Sequence, residues 1–138
     1  MRRVAAVRLG DHYYILQAQF SCQELPEVRR VRLLVDTGCS VTTMYAERLG
    51  LSRDAYEALE LSEPCSTVGG RIVPRRLHDV VLIFMTVEGG YLPVRLEGCD
   101  VIYAVEGALE DGVLGVDVLN LFRRWEGRPD QGLWIFEI

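Results

Sequence analysis

The sequence contains no lysine, because all 15 of its basic residues are arginine. This absence excludes Schiff-base chemistry on a lysine amine and the phosphate-binding loop that depends on a lysine. Asparagine is nearly absent as well, with Asn120 as its one occurrence. Long apolar runs are also missing: a membrane-spanning helix needs ~20 apolar residues, and the longest run here extends only from Val80 to Met85. We therefore expect no membrane partner.

The four cysteines, Cys22, Cys39, Cys65 and Cys99, form no Cys-x-x-Cys pair. Without that spacing, we do not expect a zinc site. We expect the four cysteines to be free thiols. No metal and no organic cofactor is implied. Arg2 and Arg3 look like the charged start of a signal peptide, but Arg8 interrupts the apolar stretch that follows. We therefore expect a cytoplasmic protein.

The chain of 138 residues is long enough for one domain, which we predict to extend over residues 1–138. Its 20 acidic residues give a net charge of −5, which argues against a nucleic-acid or anionic-membrane partner. The arginine clusters at residues 29–32, 75–76 and 123–124 are interpreted as solvated outer faces.

Short β-rich stretches recur along the chain, separated by turn signals. The pattern predicts strands at Val4–Leu9, Tyr13–Phe20, Val28–Asp36, Val80–Glu88, Tyr91–Leu96, Val101–Val105 and Leu133–Ile138. Gly89 and Gly90 indicate a hairpin turn, and residues 127–132 indicate a second turn. Short helices are predicted at Thr43–Leu49, Arg53–Leu61 and Val116–Phe122, the first ending at Gly50. Many strands at this spacing predict an all-β, closed or sandwich-like fold.

One segment is suited to chemistry: an apolar strand delivers Asp36 directly into a turn formed by Thr37 and Gly38. Asp-Thr-Gly alone arises by chance in roughly 3% of chains of this length, given ordinary residue frequencies. An alternative interpretation is that the Asp36 side chain only caps a turn at the end of a strand. A downstream stretch from Val113 to Leu119 repeats the order of strand, glycine and helix, which makes the combination rarer.

These residues resemble the retroviral-type aspartic proteases, or retropepsin-like proteins, over about Tyr13 to Ile138. The resemblance is closest to the single-domain cellular branch, including the protease domain of DNA-damage-inducible ubiquitin-shuttle proteins. It implies a closed β-barrel with one to three short helices, forming a homodimer. It also implies that residues 35–38 form the catalytic loop, residues 43–51 the helix behind it, and Val113–Gly115 the strand that threads beside the loop. Val68, Gly69 and Gly70 then belong to the flap hairpin that covers the substrate.

The implied activity is that of an aspartic endopeptidase, which needs two carboxylates that share a proton. The chain holds a single Asp-Thr-Gly, so the second Asp36 must come from a second subunit. Thr37 and Gly38 support the loop, and Gly38 with the flap residues contacts a peptide or unfolded-protein substrate. The apolar end of the chain, Leu133–Ile138, is expected to be an edge that pairs with the partner.

Two features depart from the family pattern. Retroviral members usually place an Asp and an Arg, which form an ion pair, where this chain has Ser40 and Val116. Because both charges are missing together, no buried charge is left without its partner. Cys39 also stands where alanine or serine is usual.

The sequence also bears on two other functions. A cysteine protease would pair a thiol with His12 or His78, and no local pattern places either histidine beside a cysteine. A dimer of the same fold that binds peptides or proteins without cleaving them remains open, since a fold does not imply its activity.

Overall fold

The computed structural model describes residues 2–67 and 69–138, so that Val68 of the predicted flap lies outside the described residues. The strands are β1 (Arg3–Leu9), β2 (Tyr13–Ser21), β3 (Arg29–Val35), β4 (Thr43–Tyr45), β5 (Cys65–Thr67), β6 (Gly70–Ile72), β7 (Arg75–Met85), β8 (Tyr91–Ile102), β9 (Gly112–Leu114), β10 (Arg124–Arg128) and β11 (Leu133–Glu137). Two short helices, α1 (Arg53–Glu57) and α2 (Val116–Leu119), and a 3₁₀ turn at Pro129–Gln131 complete the described elements.

Six strands close into a barrel in the order β2–β3–β9–β4–β8–β7, because β7 pairs back onto β2. The pairings are antiparallel except for β3 with β9 and β4 with β8, which are parallel. The predicted all-β closed barrel is therefore confirmed. Alternating side chains of these strands fill the interior with apolar groups, the largest of which are Phe20, Phe84, Leu33, Met44, Leu77, Leu82 and Leu114.

The helix predicted at Thr43–Leu49 is wrong. Residues 43–45 form β4, which lies between β8 and β9, and turns follow up to Gly50. The N–H groups of Ala46 and Glu47 donate to carbonyl oxygens of Ile102 and Tyr103 at 2.8 and 2.9 Å, so they are not available to a helix. Gly50 does take the predicted left-handed conformation, with φ of +79°.

Other element bounds differ from the prediction in smaller ways. The two remaining helices are shorter than predicted. Of the strand expected at Val101–Val105, only residues 101–102 are in a strand, as the end of the long β8, and residues 103–105 are not. Strand β10 was not predicted, because it carries charged side chains at alternate positions, whereas β9 contains Val113 and Leu114 of the predicted threading strand. The turn at Gly89–Gly90 is confirmed, with Gly89 at φ of +95°. No helix among the described residues is long and apolar enough to cross a membrane.

The C-terminal strand is not a free edge, which corrects the expectation for Leu133–Ile138. β11 lies between β1 and β10 and pairs with both, and β1 joins this three-stranded extension to the barrel through β2. Trp134, Trp125 and Phe136 pack on one another there, with ring centroids 5.1–6.3 Å apart. Packing of these rings on one another stabilises the extension within a single chain.

β5 and β6 form a separate two-stranded hairpin where the resemblance places the flap. The segment that leads into this hairpin, residues 60–61, is here called its root and is joined to β7. A bridge pairs Leu61 with Arg75, and the Arg76 N–H donates to the Glu60 carbonyl oxygen at 2.8 Å. The hairpin strands themselves are largely exposed.

His78 connects this root to the loop that follows β2. Its Nδ1 lies 2.6 Å from a carboxylate oxygen of Glu24 and its Nε2 lies 2.8 Å from one of Glu60. The backbone N–H of His78 donates to the other oxygen of Glu24 at 2.8 Å. A neutral imidazole has one N–H, so only the imidazolium donates to both carboxylates. Hydrogen bonding to Glu24 therefore raises the pKa of His78, with Glu60 acting in the same direction.

We predict that this imidazolium stabilises the fold in a limited pH range. Because the pKa of His78 is raised from 6.5, its contribution is complete below that value and is lost as the pH rises through the folded-state pKa. The pKa of Glu24 is lowered, against the effect of its burial, by hydrogen bonds from His78, so the contribution also falls in acid. His78→Gln should therefore destabilise the protein at about pH 6 more than at about pH 9 in urea unfolding.

His12→Gln is the matched control, because His12 is the other histidine and is exposed. It should leave the unfolding midpoint unchanged at both pH values. A destabilisation by His78→Gln that does not depend on pH would contradict the ion-pair account.

Candidate active site

Asp36 follows β3 directly and continues its pairing with β9. The Asp36 N–H donates to the Leu114 carbonyl oxygen at 3.1 Å. Oδ1 of Asp36 accepts the N–H of Gly38 at 2.8 Å, and the Cys39 N–H donates to the Asp36 carbonyl oxygen at 3.2 Å. This tight turn orients one carboxylate oxygen, and the other accepts no hydrogen bond from the described residues. The side chain is half-buried, whereas Thr37 and Gly38 are exposed.

The loop of residues 36–42, here called the Asp36 loop, is held against Gly115. The Val116 N–H donates to the Cys39 carbonyl oxygen at 2.9 Å, and the Gly115 N–H donates to Oγ1 of Thr42 at 3.1 Å. A Cβ on Gly115 would lie 2.7 Å from the Cys39 carbonyl oxygen. Only a glycine lets the two backbones approach this closely. The predicted threading strand Val113–Gly115 therefore lies where the resemblance places it.

Asp117 fastens the far end of the same loop, a role that the sequence did not reveal. Its carboxylate accepts the backbone N–H of Thr42 at 3.0 Å and the hydroxyl of Thr42 at 2.7 Å. It also accepts the N–H of Val118 at 3.0 Å. Thr42 is fully buried, so each of these bonds satisfies a polar group that water does not reach. Asp117 is thus committed to holding the loop and is not a second catalytic carboxylate.

Two neutral side chains lie in the loop or beside it. The thiol of Cys39 donates to the Val41 carbonyl oxygen at 3.0 Å, and its burial raises its pKa. Tyr45 is buried, and burial together with the charges of Glu110, Cys39 and Asp36 raises the pKa of its phenol. Both side chains therefore stay protonated near neutral pH.

An apolar row runs across the outer face of the sheet towards Asp36. Val7 of β1 is paired with Ile15 of β2, Ile15 with Leu34 of β3, and Leu34 with Val113 of β9. Leu34 lies two residues before Asp36, and residues two apart in a strand share a face. The row therefore leads along one face of the sheet to the carboxylate.

The predicted flap residues Gly69 and Gly70 belong to the β5–β6 hairpin. Gly69 is in the turn between β5 and β6, and Gly70 begins β6 with φ of +119°, a conformation that favours glycine. The Thr67 hydroxyl donates to the Gly70 carbonyl oxygen at 2.7 Å and tightens the turn. No hydrogen bond among the described residues joins the hairpin to the Asp36 loop. The described part of one chain thus joins Asp36, Thr37 and Gly38 in one turn and shows no hydrogen bond from this turn to the flap glycines.

Gly115→Ala should destabilise the protein because its Cβ has no room beside the Cys39 carbonyl. Forced overpacking of this kind costs about 1–3 kcal/mol, measurable as a lower midpoint of urea unfolding. Gly127→Ala is the matched control, because a Cβ there meets nothing within 4 Å and the backbone needs no left-handed conformation. Equal effects of the two substitutions would show that the close approach at Gly115 does not constrain the loop.

Comparison with known proteins supports the same architecture. No family model and no curated protein matches the sequence. The crystal structure of a retropepsin-like aspartic protease from Rickettsia conorii superposes with a TM-score of 0.54 at 17% sequence identity. The match covers 97% of this chain and 89% of that chain. The chain therefore has the fold of the retropepsin-like aspartic proteases.

Proposed function

We propose that this protein is an aspartic endopeptidase whose active site forms between two copies of the chain. The observation that carries the proposal is the placement of Asp36: a half-buried carboxylate at the end of a barrel strand, in a loop held against Gly115 and fastened by Asp117. A carboxylate that only caps a turn does not need a loop braced at both ends.

The chemistry requires a second carboxylate next to the first. Two carboxylates about 3 Å apart do not both ionise, so the pair shares one proton. The ionised partner takes a proton from the attacking water, while the protonated partner polarises the carbonyl of the peptide bond. Because Asp117 is fully engaged with Thr42 and Val118, the second group in this proposal is Asp36 of another copy, related by a two-fold axis.

The dimer contacts proposed here differ from the pattern of the retroviral enzymes. Ser40 and Val116 supply no ion pair, and the C-terminal strand is already paired on both sides within one chain. In this proposal the exposed Thr37 contacts the partner's loop. The exposed edge that remains in this part of the sheet is β10, with Trp125 partly exposed on it.

The substrate in this proposal is a peptide or an unfolded segment that binds in extended form. It would lie over the apolar row of Val7, Ile15, Leu34 and Val113, with the exposed β5–β6 hairpin above it. Gly38 and the hairpin glycines Gly69 and Gly70 would then contact its backbone, as expected for a peptide bound like an added strand. We place this activity in the cytoplasm.

The second candidate is a dimer that binds peptides without cleaving them. The hydrogen bond from the Gly38 N–H to Oδ1 of Asp36 favours it, because that bond is also what a turn-capping aspartate makes. The two candidates differ in whether the Asp36 carboxylate is needed for turnover.

Asp36→Asn should abolish peptide cleavage and leave folding intact. The amide oxygen still accepts the Gly38 N–H, whereas the proton-transfer group, worth roughly 10²–10⁴-fold in rate, is lost. Cleavage of a peptide library and unfolding by urea measure the two effects. Asp11→Asn, an exposed turn residue, is the matched control and should cleave normally.

Sedimentation of the wild type and of both variants should give roughly twice 15.6 kDa. Cleavage retained by purified Asp36→Asn protein would place the active site elsewhere, and a dimer that binds peptides without cleaving them would favour the second candidate.

A further inference from the structure

The outer face of β3 carries two arginines in line with Asp36. Arg30, Arg32 and Leu34 alternate with buried residues along the strand, and Asp36 follows at the next position of the same alternation. At about 3.3 Å per residue, Arg32 lies roughly 13 Å and Arg30 roughly 20 Å from Asp36 along the strand. An extended peptide has nearly the same rise, so these spans correspond to about four and six of its residues.

Both arginines line a groove of about 480 Å³ on this face. Gln17 and Gln19 of β2 lie between them and an apolar wall formed by Ile83, Met85 and Tyr91. Met85 and Tyr91 are 66% and 62% exposed, which leaves this wall open to a ligand.

A second groove of about 390 Å³ continues the first. It shares Gln17, Arg32 and Met85 with the first groove and extends to Val7 and Ile15. Val7 and Ile15 also belong to the apolar row that leads to Asp36. The two grooves thus connect the arginines to the proposed substrate path.

The positive charge in the first groove is not neutralised. No carboxylate in the described part of the chain lies within ion-pair distance of the Arg30 or Arg32 guanidinium groups. Asp111 is the one acidic residue among the described lining residues, and it is already engaged. Its carboxylate accepts the backbone N–H of Arg32 at 2.8 Å and faces Arg48 at 3.8 Å. Two free guanidinium groups therefore face this groove in a protein whose net charge is −5.

We propose that this groove binds an acidic stretch of the peptide substrate and so determines specificity. An aspartate or glutamate about four to six residues from the cleaved bond meets Arg32 and Arg30, while a neighbouring apolar side chain packs on Met85 and Tyr91. This inference rests on the proposed function for the position of the cleaved bond, but the binding itself does not require cleavage.

Binding is tested with the 138-residue Asp36→Asn protein, which should bind peptide without turnover. Two fluorescein-labelled peptides share an apolar centre and differ only in carrying glutamate or glutamine at positions four to six residues from it. Anisotropy titration should show the glutamate peptide binding roughly 3- to 30-fold more tightly, as expected for two solvent-exposed charge pairs. The preference should weaken as salt is added.

The double substitution Arg30→Gln and Arg32→Gln should reduce this preference to near unity and leave the affinity for the glutamine peptide unchanged. The matched control is Arg2→Gln with Arg95→Gln, which removes the same charge outside both grooves. Equal binding of the two peptides, or a preference that survives the Arg30/Arg32 substitutions, would overturn the inference. Competition by an oligonucleotide of equal charge as effective as the glutamate peptide would also overturn it, because the groove would then bind anions in general.

Cleavage by the wild type separates this inference from the proposed function. If both peptides are cleaved with the same kcat/KM, the groove inference is wrong and the protease assignment stands. If neither peptide is cleaved but binding still depends on Arg30 and Arg32, the protease assignment fails and the acidic-peptide site stands. If the protease assignment and the groove inference are both correct, the Arg30→Gln and Arg32→Gln double substitution should raise KM for the glutamate peptide. It should leave kcat nearly unchanged.

Discussion

The close approach between the Asp36 loop and Gly115 is the constraint on which the site depends. Gly115 lies so near the Cys39 carbonyl that no larger residue fits, and hydrogen bonds on both sides of it tie the loop to β9 and α2. Asp117 then holds Thr42 at the end of the loop. Since β9 pairs in parallel with β3, the barrel itself determines where the Asp36 carboxylate lies.

This arrangement positions one carboxylate. Asp117, which also contacts the Asp36 loop, is not available to pair with it, because its oxygens accept hydrogen bonds from Thr42 and Val118. The proposal of a second copy is supported by this hydrogen bonding and by the single Asp-Thr-Gly in the sequence. Thr37 and the β5–β6 hairpin are exposed, as contact with the proposed partner and substrate requires.

Local sequence patterns predicted those strands and turns that depend on residues close together in the chain. Alternation of apolar residues predicted most barrel strands, and the Asp-Thr-Gly turn and the turn at Gly89–Gly90 were located correctly. Contacts between distant residues were not visible: residues 43–45 form a strand because β8 and β9 lie on either side. His78 contacts Glu24 at a separation of 54 residues, and Thr42 contacts Asp117 at a separation of 75. No spacing rule reveals such pairs.

The most direct test of a shared active site is the activity of mixed dimers. Wild-type and Asp36→Asn chains, unfolded together and refolded at varied ratios, form hybrids with one functional carboxylate. If each site needs Asp36 from both chains, activity falls as the square of the wild-type fraction, so an equal mixture retains about one quarter of the activity. A linear decline, with about one half retained, would show that one chain supplies a complete site and would contradict the account.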